Sequence, residues 1–202
     1  MRRIACSLVA INCLLTMDAT ILATMVEGKS VAPLTSKMSP SLNLIIQATQ
    51  TDWRAVNDDV MGGISRGNFR QTNDALVFFG ELSRENNGGF ASIRTAVNLD
   101  LSSTSGISME VIGDGRTYQF FMQTDARLQE RFPINFTHRF STLPGEPTVV
   151  AFSFADLEPR WRGQSLEGYQ FDAKKIEQVG FLIADGREGP FELRIGNVST
   201  ID

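Results

Sequence analysis

The chain has little of what most catalytic and metal sites require. Both of its cysteines, Cys6 and Cys13, lie near the N-terminus, and His138 is its one histidine. A folded part without cysteine has no disulfide framework and no thiolate ligand, and a single histidine is too few for a zinc site. Gly-x-Ser-x-Gly, phosphate-loop and dinucleotide-binding motifs are also missing. We therefore expect a protein that is not an enzyme and has no metal, cofactor or catalytic residue.

Basic charge is scarce as well. From residue 41 to the C-terminus there are 15 Lys and Arg against 21 Asp and Glu, a net charge of −6. A nucleic-acid-binding or anionic-membrane-binding surface would need a basic patch, and no basic run is visible. The apolar stretch at the N-terminus is shorter than the roughly 20 residues that span a bilayer. These features exclude nucleic acid as a partner and predict no integral membrane span.

The N-terminus has the pattern of a targeting sequence. Arg2 and Arg3 precede a largely apolar stretch over residues 4–15, as in secretory leaders. We predict a non-globular leader over residues 1–24, a linker over residues 25–42 and a folded domain over residues 43–202. A signal peptide would export the protein to the periplasm, whereas a transit peptide would direct it to an organelle. A misassigned start codon is the third interpretation and would leave the protein cytoplasmic.

Beyond residue 43, apolar and polar side chains alternate in short runs. Such runs cover residues 76–82, 107–111, 118–123, 150–154, 179–183 and 191–196, and this period of two is typical of strands with one buried face. Turn-forming residues separate them at residues 86–89, 113–115, 143–145 and 185–190. Many short strands at this spacing predict an all-β sandwich or barrel.

Two segments place amide and carboxylate side chains beside paired glycines. Their candidate ligand- or partner-binding residues are Asn57, Asp58, Asn86, Asn87 and Arg94, and their glycines are Gly62, Gly63, Gly88 and Gly89. Paired glycines permit the backbone to approach a ligand or a neighbouring strand closely. The carboxylates could instead hold calcium, or the side chains could cap the turns themselves. We expect the two turns to converge at one end of the fold, with the strand that carries Arg94 leaving that end.

A third segment combines an aromatic ring with two guanidinium groups. It contains Arg160, Trp161 and Arg162, followed by Gly163. Arg and Trp are frequent at binding hot spots, which makes these residues candidates for partner binding. An Arg–Trp stack that covers the edge of a sheet is the equally weighted alternative.

These segments, in this order, resemble the family of complex I intermediate-associated protein 30. The motifs that carry the resemblance lie in residues 53–65, 79–94, 161–163 and 176–193. The resemblance implies a galactose-binding-like jelly-roll sandwich, similar to family 11 carbohydrate-binding modules. It also implies a role in assembling respiratory complex I through contact with unfinished subunits, and it brings no catalytic residues with it.

Three functions remain open on the sequence. A protein-binding, chaperone-like assembly module is the first, with subunits of a larger assembly as partners. A carbohydrate-binding module is the second, although Trp and Tyr number only two each and sugar platforms commonly use them. A hydrolase with paired carboxylates is the third and has no specific support.

Overall fold

A computed structural model of the chain describes residues 52–72 and 74–202. The predicted leader and linker, residues 1–24 and 25–42, lie outside the described residues. Among the residues described, no helix is long and apolar enough to cross a membrane.

Strands make up most of the described chain. In chain order they are β1 (Arg54–Asn57), β2 (Arg66–Gln71), β3 (Leu76–Leu82), β4 (Ala91–Leu99), β5 (Gly106–Ile112), β6 (Thr117–Thr124), β7 (Arg127–Leu128), β8 (Phe132–Pro133), β9 (Asn135–Ser141), β10 (Pro147–Ser153), β11 (Glu158–Trp161), β12 (Gln164–Ser165), β13 (Ile176–Ile183) and β14 (Gly189–Ile201). Short 3-10 turns cover Asp58–Met61, Glu85–Asn87 and Phe154–Asp156.

The strands form two large antiparallel sheets. One has seven strands in the order β1-β4-β13-β6-β9-β11-β12, and the other has five in the order β10-β5-β14-β3-β2. The strands β7 and β8 form a separate small hairpin. The prediction of an all-β sandwich is therefore confirmed.

Phenylalanine rings fill much of the space between the two sheets. The ring of Phe120 on β6 lies 5.8 Å from that of Phe152 on β10, and 5.4 Å from that of Phe181 on β13. Phe78 and Phe191, on neighbouring strands of the five-stranded sheet, are 4.8 Å apart. All five are at most 4% exposed. Burial of apolar area on this scale is the main favourable contribution to folding.

A strand forms in each of the six predicted runs, which correspond to β3, β5, β6, β10, β13 and β14. The alternation is interrupted at Val77 on β3 and Phe121 on β6, which are buried although they lie at the alternate positions. Strand β4 was expected only as the strand that carries Arg94, and strands β1, β2, β7, β8, β9, β11 and β12 were not predicted. In β9 the inward positions include His138, whose ring stacks on Phe152 at 4.2 Å. A polar residue type at an inward position masks the period-two pattern.

Candidate binding face of the seven-stranded sheet

Asp58 is the centre of a buried hydrogen-bond cluster where β1 ends and β4 begins. The residue is 1% exposed, and its Oδ1 accepts a hydrogen bond from the Ser65 amide at 2.9 Å. Its Oδ2 accepts from the Ser65 hydroxyl at 2.5 Å and from the amides of Gly89 at 2.6 Å and Phe90 at 3.3 Å. The carboxylate thus joins the two glycine-containing turns at one end of the sandwich.

The hydrogen bonds also fix the charge of this carboxylate. Burial by itself would raise the pKa of Asp58, but the hydrogen bonds from Ser65, Gly89 and Phe90 outweigh it and hold the pKa below its ordinary value. Asp58 is therefore ionised at neutral pH, and both of its oxygens are occupied by donors from the protein. This arrangement gives Asp58 an architectural role.

The paired glycines leave room for the carboxylate. A Cβ on Gly63 would lie 2.3 Å from Cγ of Asp58, and a Cβ on Gly88 would lie 2.6 Å from its Oδ2. Three further motif glycines have positive φ angles: Gly62, Gly89 and Gly163. The sequence suggested that these glycines let a ligand approach the backbone closely. In the structure, the Asp58 carboxylate is the group that lies close to them.

Asn57 connects the two sheets. Its Nδ2 donates to the Gly67 carbonyl at 3.2 Å, and its Oδ1 accepts from the Gly67 amide at 3.0 Å. Asn57 belongs to β1 of the seven-stranded sheet and Gly67 to β2 of the five-stranded sheet. The Asn57 side chain therefore forms with Gly67 the pair of hydrogen bonds that two backbones form within a sheet, and in this way it joins strands of different sheets.

Asn86 and Asn87 lie on the surface of the same end. Both have left-handed backbone conformations, with φ of 55° and 60°, and both are exposed. Asparagine tolerates this conformation better than most residues with a Cβ. Their role in binding a ligand or partner stays a prediction.

A buried ion pair that the sequence did not reveal lies at the same end. Arg116 donates from Nε and Nη2 to the two carboxylate oxygens of Asp185, at 3.0 and 2.7 Å. Its remaining donors reach the carbonyls of Arg187, Gly189 and Pro190. The Asp185 hydrogen bond raises the pKa of Arg116, and the hydrogen bond back from Arg116 overcomes burial to lower the pKa of Asp185. The pair fixes the turn between β13 and β14 against the start of β6.

Two more titratable groups near this end, Asp114 and Tyr118, have internal partners. Asp114 Oδ1 accepts from the Tyr118 hydroxyl at 2.9 Å, and its Oδ2 accepts from the Glu192 amide at 2.9 Å. Burial, followed by the charge of Asp114, raises the pKa of Tyr118. Within residues 52–72 and 74–202, no group of three or more His, Cys, Asp or Glu could hold a metal ion.

In the segment of residues 160–163, Arg162 and Trp161 form a stack that covers an edge of the seven-stranded sheet. The Trp161 ring lies 5.3 Å from that of Phe132, and the Arg162 guanidinium lies 4.9 Å from the Trp161 centroid. Arg160 points elsewhere and pairs with Glu158 at 2.7 Å. The Arg–Trp stack is the arrangement found, and a binding role for Arg160, Trp161 and Arg162 stays a prediction.

The outer face of the seven-stranded sheet carries three rows of side chains that cross the strands in register. The first row is Val56, Ser92, Leu182, Gln119 and Arg139; the second is Arg54, Arg94, Gly180, Phe121, Thr137 and Glu158; the third is Ala96, Gln178, Gln123, Asn135, Arg160 and Ser165. Their chain neighbours, such as Ile93, Phe120 and Phe181, point into the core. We call these rows the outer face.

Phe121 and Gly180 support Arg94 at the middle of the outer face. Phe121 has no exposed surface, and its ring occupies the place of a side chain on Gly180, where a Cβ would lie 2.5 Å from ring atom Cζ. The Arg94 guanidinium lies 5.4 Å from the Phe121 centroid, and its Nη2 donates to the Ser92 hydroxyl at 2.8 Å. Ser92 in turn donates to the Val56 carbonyl at 2.8 Å.

Arg94 is a half-buried cation without a carboxylate partner among the described residues. Its Nε is buried and has no hydrogen-bond acceptor. Burial, and then the charge of Arg54 directly opposite on β1, lower the pKa of Arg94. The guanidinium still remains charged at neutral pH because the ordinary pKa of arginine is so high.

Amide side chains form most of the third row. Gln123 donates from Nε2 to Oδ1 of Asn135 at 2.6 Å, and Gln178 is the direct neighbour of Gln123 across the strands. Such a row offers both donors and acceptors for hydrogen bonds to a polar ligand. Sequence analysis identified the alternation of β6 but gave its outward residues, Gln119, Phe121 and Gln123, no function.

On the opposite surface, that of the five-stranded sheet, two arginines are paired with carboxylates. Arg70 lies 3.2 Å from Glu192, and Arg194 lies 2.6 Å from Asp74. Of the two faces, only that of the seven-stranded sheet presents a half-buried arginine that is unpaired within the described chain. The outer face of this sheet is therefore the better candidate for binding.

Large exposed apolar side chains lie away from the outer face. In the described residues they are Met61, Ile64, Leu143 and Val149, which are 57, 48, 57 and 68% exposed. The first three are on turns at the Asp58 end, and Val149 is on β10. Single exposed apolar residues are ordinary and do not define a binding patch.

Comparison with known proteins places this geometry in context. Over residues 43–195 the chain matches the family described as complex I intermediate-associated protein 30 (CIA30). No curated protein matches the chain significantly.

Two solved structures with a similar fold are family 11 carbohydrate-binding modules. The family 11 module of the cellulosomal cellulase Lic26A-Cel5E of Clostridium thermocellum has a TM-score of 0.57 and 13% identity, covering 75% of this chain and 88% of that one. A family 11 module from the same organism, in complex with a β-1,3-1,4-mixed-linked tetrasaccharide, has a TM-score of 0.57 and 12% identity, with coverage of 74% and 88%. At these identities the likeness shows the β-sandwich fold alone. The family match extends over most of the chain, and the protein belongs to the complex I intermediate-associated protein 30 family.

Proposed function

We propose that this domain is a non-catalytic binding module that associates with protein subunits of a larger assembly, and that it binds them through the outer face of the seven-stranded sheet. The observation that supports this most is the contrast between the two outer surfaces. The five-stranded sheet neutralises Arg70 and Arg194 with Glu192 and Asp74, whereas Arg94 on the seven-stranded sheet has no carboxylate partner within the described residues. An uncompensated, partly desolvated charge is costly unless a partner supplies the compensation.

The non-catalytic part of the proposal rests on how the titratable groups are used. The carboxylates of Asp58 and Asp185 are buried and accept hydrogen bonds from their own chain. His138 stacks on Phe152, and burial lowers its pKa against the opposing influence of Asp156 and Glu158. These groups serve the fold, which supports a binding function over hydrolysis.

The family description supports assembly as the cellular role. It names an association with an intermediate of complex I. By this inference the domain holds unfinished respiratory subunits in a chaperone-like manner. The compartment follows the leader: an exported protein would act in the periplasm, and a transit peptide would place it in an organelle.

A capture experiment with paired variants tests the proposed face. Ala96 and Ala151 are both exposed strand residues, but Ala96 lies on the outer face and Ala151 lies on β10 of the other sheet. The tagged full-length protein and its Ala96→Tyr and Ala151→Tyr variants are purified from the native cells, and co-purified proteins are quantified by mass spectrometry. We expect Ala96→Tyr to lower the recovery of specific partners roughly tenfold and Ala151→Tyr to leave it unchanged, since a bulky ring blocks only the face that carries it. Equal recovery with both variants would exclude the outer face as the binding surface.

Carbohydrate binding is the second candidate, favoured by the amide row of Gln178, Gln123 and Asn135. Hydrogen-bonding amides suit sugar hydroxyls, and one module of similar fold was solved with a mixed-linked tetrasaccharide. Against it, the three rows contain one aromatic ring, that of Phe121, which has no exposed surface for stacking. Calorimetric titration with a mixed-linked β-glucan tests this candidate. If the β-glucan bound saturably, Gln123→Ala abolished that binding, and the capture experiment recovered no protein partner, carbohydrate binding would be the function and the assembly proposal would be wrong.

A further inference from the structure

We propose that Arg94, assisted by Arg54, is the anchor for a carboxylate of the partner protein, so that the outer face recognises an acidic segment of that partner. This inference rests on the proposed function and names the chemistry that the bound segment presents. The two arginines lie at the β1–β4 edge of the outer face.

Arg54 and Arg94 lie directly opposite each other on neighbouring antiparallel strands. Like charges in this position repel and destabilise the strand pair. Neither residue forms an ion pair within the described chain, so no carboxylate there offsets the repulsion between them. A carboxylate placed against both guanidinium groups would remove the repulsion and supply the missing counter-charge.

The position of Arg94 is fixed before any partner arrives. Its guanidinium lies over the Phe121 ring, and Nη2 is held by the Ser92 hydroxyl, which is itself held by the Val56 carbonyl. Nη1 is left without a hydrogen bond among the described residues and is the donor available to a ligand. A guanidinium fixed in this way loses little conformational entropy when it binds, which favours affinity.

The charge of the outer face points to the same kind of ligand. The three rows contain four arginines, at positions 54, 94, 139 and 160, against Glu158, a net charge of +3. The whole chain has a net charge of −4. A positive face on a negative molecule orients an acidic partner towards that face and accelerates its association.

Binding of a model acidic peptide to the full-length protein tests the anchor. The probes are rhodamine-labelled hexaglutamate and hexaglutamine, followed by fluorescence anisotropy. We expect hexaglutamate to bind saturably and hexaglutamine not to bind, and we expect the affinity to fall between about 50 mM and about 300 mM salt as screening increases. Arg94→Gln should weaken hexaglutamate binding roughly tenfold, which corresponds to about 1.4 kcal/mol.

Arg194→Gln is the matched control, because it removes the same charge from the other sheet, where Arg194 is paired with Asp74. We expect this variant to bind hexaglutamate as the original protein does. Melting temperatures of both variants check folding, and Arg94→Gln should not melt lower, since it removes an unpaired, partly desolvated charge. Arg94→Lys should bind with intermediate affinity, because it keeps the charge and loses the planar donor arrangement.

Equal binding of the two peptides, or equal effects of Arg94→Gln and Arg194→Gln, would overturn the anchor. Binding of polygalacturonate without binding of hexaglutamate would also overturn it, since the carboxylate would then belong to a polysaccharide. The capture experiment with Ala96→Tyr separates the two proposals. If Ala96→Tyr abolishes capture while hexaglutamate fails to bind, the outer face remains the binding surface and only the anchor is wrong.

Discussion

The carboxylate of Asp58 accepts four hydrogen bonds, and the donors belong to Ser65, Gly89 and Phe90. These residues lie up to 32 positions apart in the chain. One side chain therefore replaces a network of backbone contacts between the turn that follows β1 and the turn that precedes β4. A buried charge held in this way contributes to stability only while all of its donors are aligned with it.

We expect Asp58→Asn to lower the free energy of unfolding by about 2–4 kcal/mol, because an amide nitrogen would face a backbone or hydroxyl donor and leave it unsatisfied. Urea denaturation at neutral pH measures this. Glu81→Gln is the control, since Glu81 is an exposed carboxylate on β3 and its substitution should change stability by less than about 0.5 kcal/mol. Similar effects of the two substitutions would show that the cluster does not depend on the Asp58 charge.

Acid titration of the original protein and the Asp58→Asn variant gives a second test of Asp58. Since the folded-state pKa lies below the ordinary value of 3.8, the stabilisation is complete above about pH 4 and is lost as the pH falls through the folded-state pKa. The neutral amide introduced by Asp58→Asn has no such titration. The stability difference between the original protein and Asp58→Asn should therefore narrow below pH 4, as urea midpoints measured across that range would show.

The sequence pointed to the residues of the Asp58 cluster, but it did not show whether they bind a ligand or stabilise the fold. Asn57, Asp58 and the glycine pairs were identified as either binding residues or turn-capping residues, and the two possibilities use the same residue types. The distinction depends on Ser65, because its hydroxyl and amide both donate to Asp58 from seven positions along the chain. Local sequence patterns do not encode which distant donor a carboxylate finds.

At the scale of strands, β4, β13 and β6 together position the middle of the outer face. Arg94, Gly180 and Phe121 are direct cross-strand neighbours on these three strands. Cross-strand neighbours interact as closely as residues one turn apart on a helix, so a change on β13 affects side chains on both adjacent strands. Gly180 is the position where this dependence is strongest.

We expect Gly180→Ala to lower the free energy of unfolding by about 1–3 kcal/mol and to weaken hexaglutamate binding. A Cβ there would lie 2.4 Å from the Ile93 carbonyl oxygen and 2.5 Å from the Phe121 ring, so Phe121 and the Arg94 guanidinium above it must move. Differential scanning calorimetry and peptide anisotropy measure the two effects.

Gly196→Ala is the matched control for this substitution. Gly196 lies on β14, and its Cβ would meet nothing nearer than the Glu110 carbonyl oxygen at 3.5 Å, an ordinary contact. Stability and binding should both stay close to those of the original protein. An unchanged affinity in a destabilised Gly180→Ala variant would show that the Phe121 support is not needed for binding.

Of the three strands β4, β13 and β6, the sequence predicted some better than others. β6 and β13 were predicted because their inward residues are large and apolar, as with Phe120 and Phe181. β4 was expected only as the strand that carries Arg94, without bounds, although its inward residues are mostly apolar and its outward residues mostly polar. Even perfect strand prediction would not have paired β4 with β13, because the two strands are far apart in the chain, at Ala91–Leu99 and Ile176–Ile183.

At the scale of the whole molecule, charge is distributed unevenly between surfaces. The net charge of −6 beyond residue 41 argued against nucleic acid and anionic membranes, and the positive outer face becomes visible only when the strand order is known. Arg54, Arg94 and Arg139 are far apart in the sequence and come from β1, β4 and β9. Net charge describes long-range behaviour of the molecule, whereas recognition depends on the local surface that the fold assembles.

The domain that assembles this surface should be independent of the N-terminal 42 residues. The core cluster extends from Trp53 to Val198, and the family match begins at residue 43. Both sheets, the Asp58 cluster and the outer face lie within residues 52–202. We therefore expect a protein of residues 43–202 to melt within about 3 °C of the full-length chain, since less than about 1 kcal/mol of stability should be lost.

The same shortened protein should bind hexaglutamate with unchanged affinity, because every residue of the outer face is retained. Calorimetry and anisotropy on both proteins measure this, and a chain shortened further, to residues 58–202, is the control because it lacks β1 and with it Arg54 and Asn57. That control should melt lower, since the Asn57 link between the two sheets is gone. If the protein of residues 43–202 melted as low as the control, residues 1–42 would be part of the folding unit, and the predicted division into leader, linker and domain would be wrong.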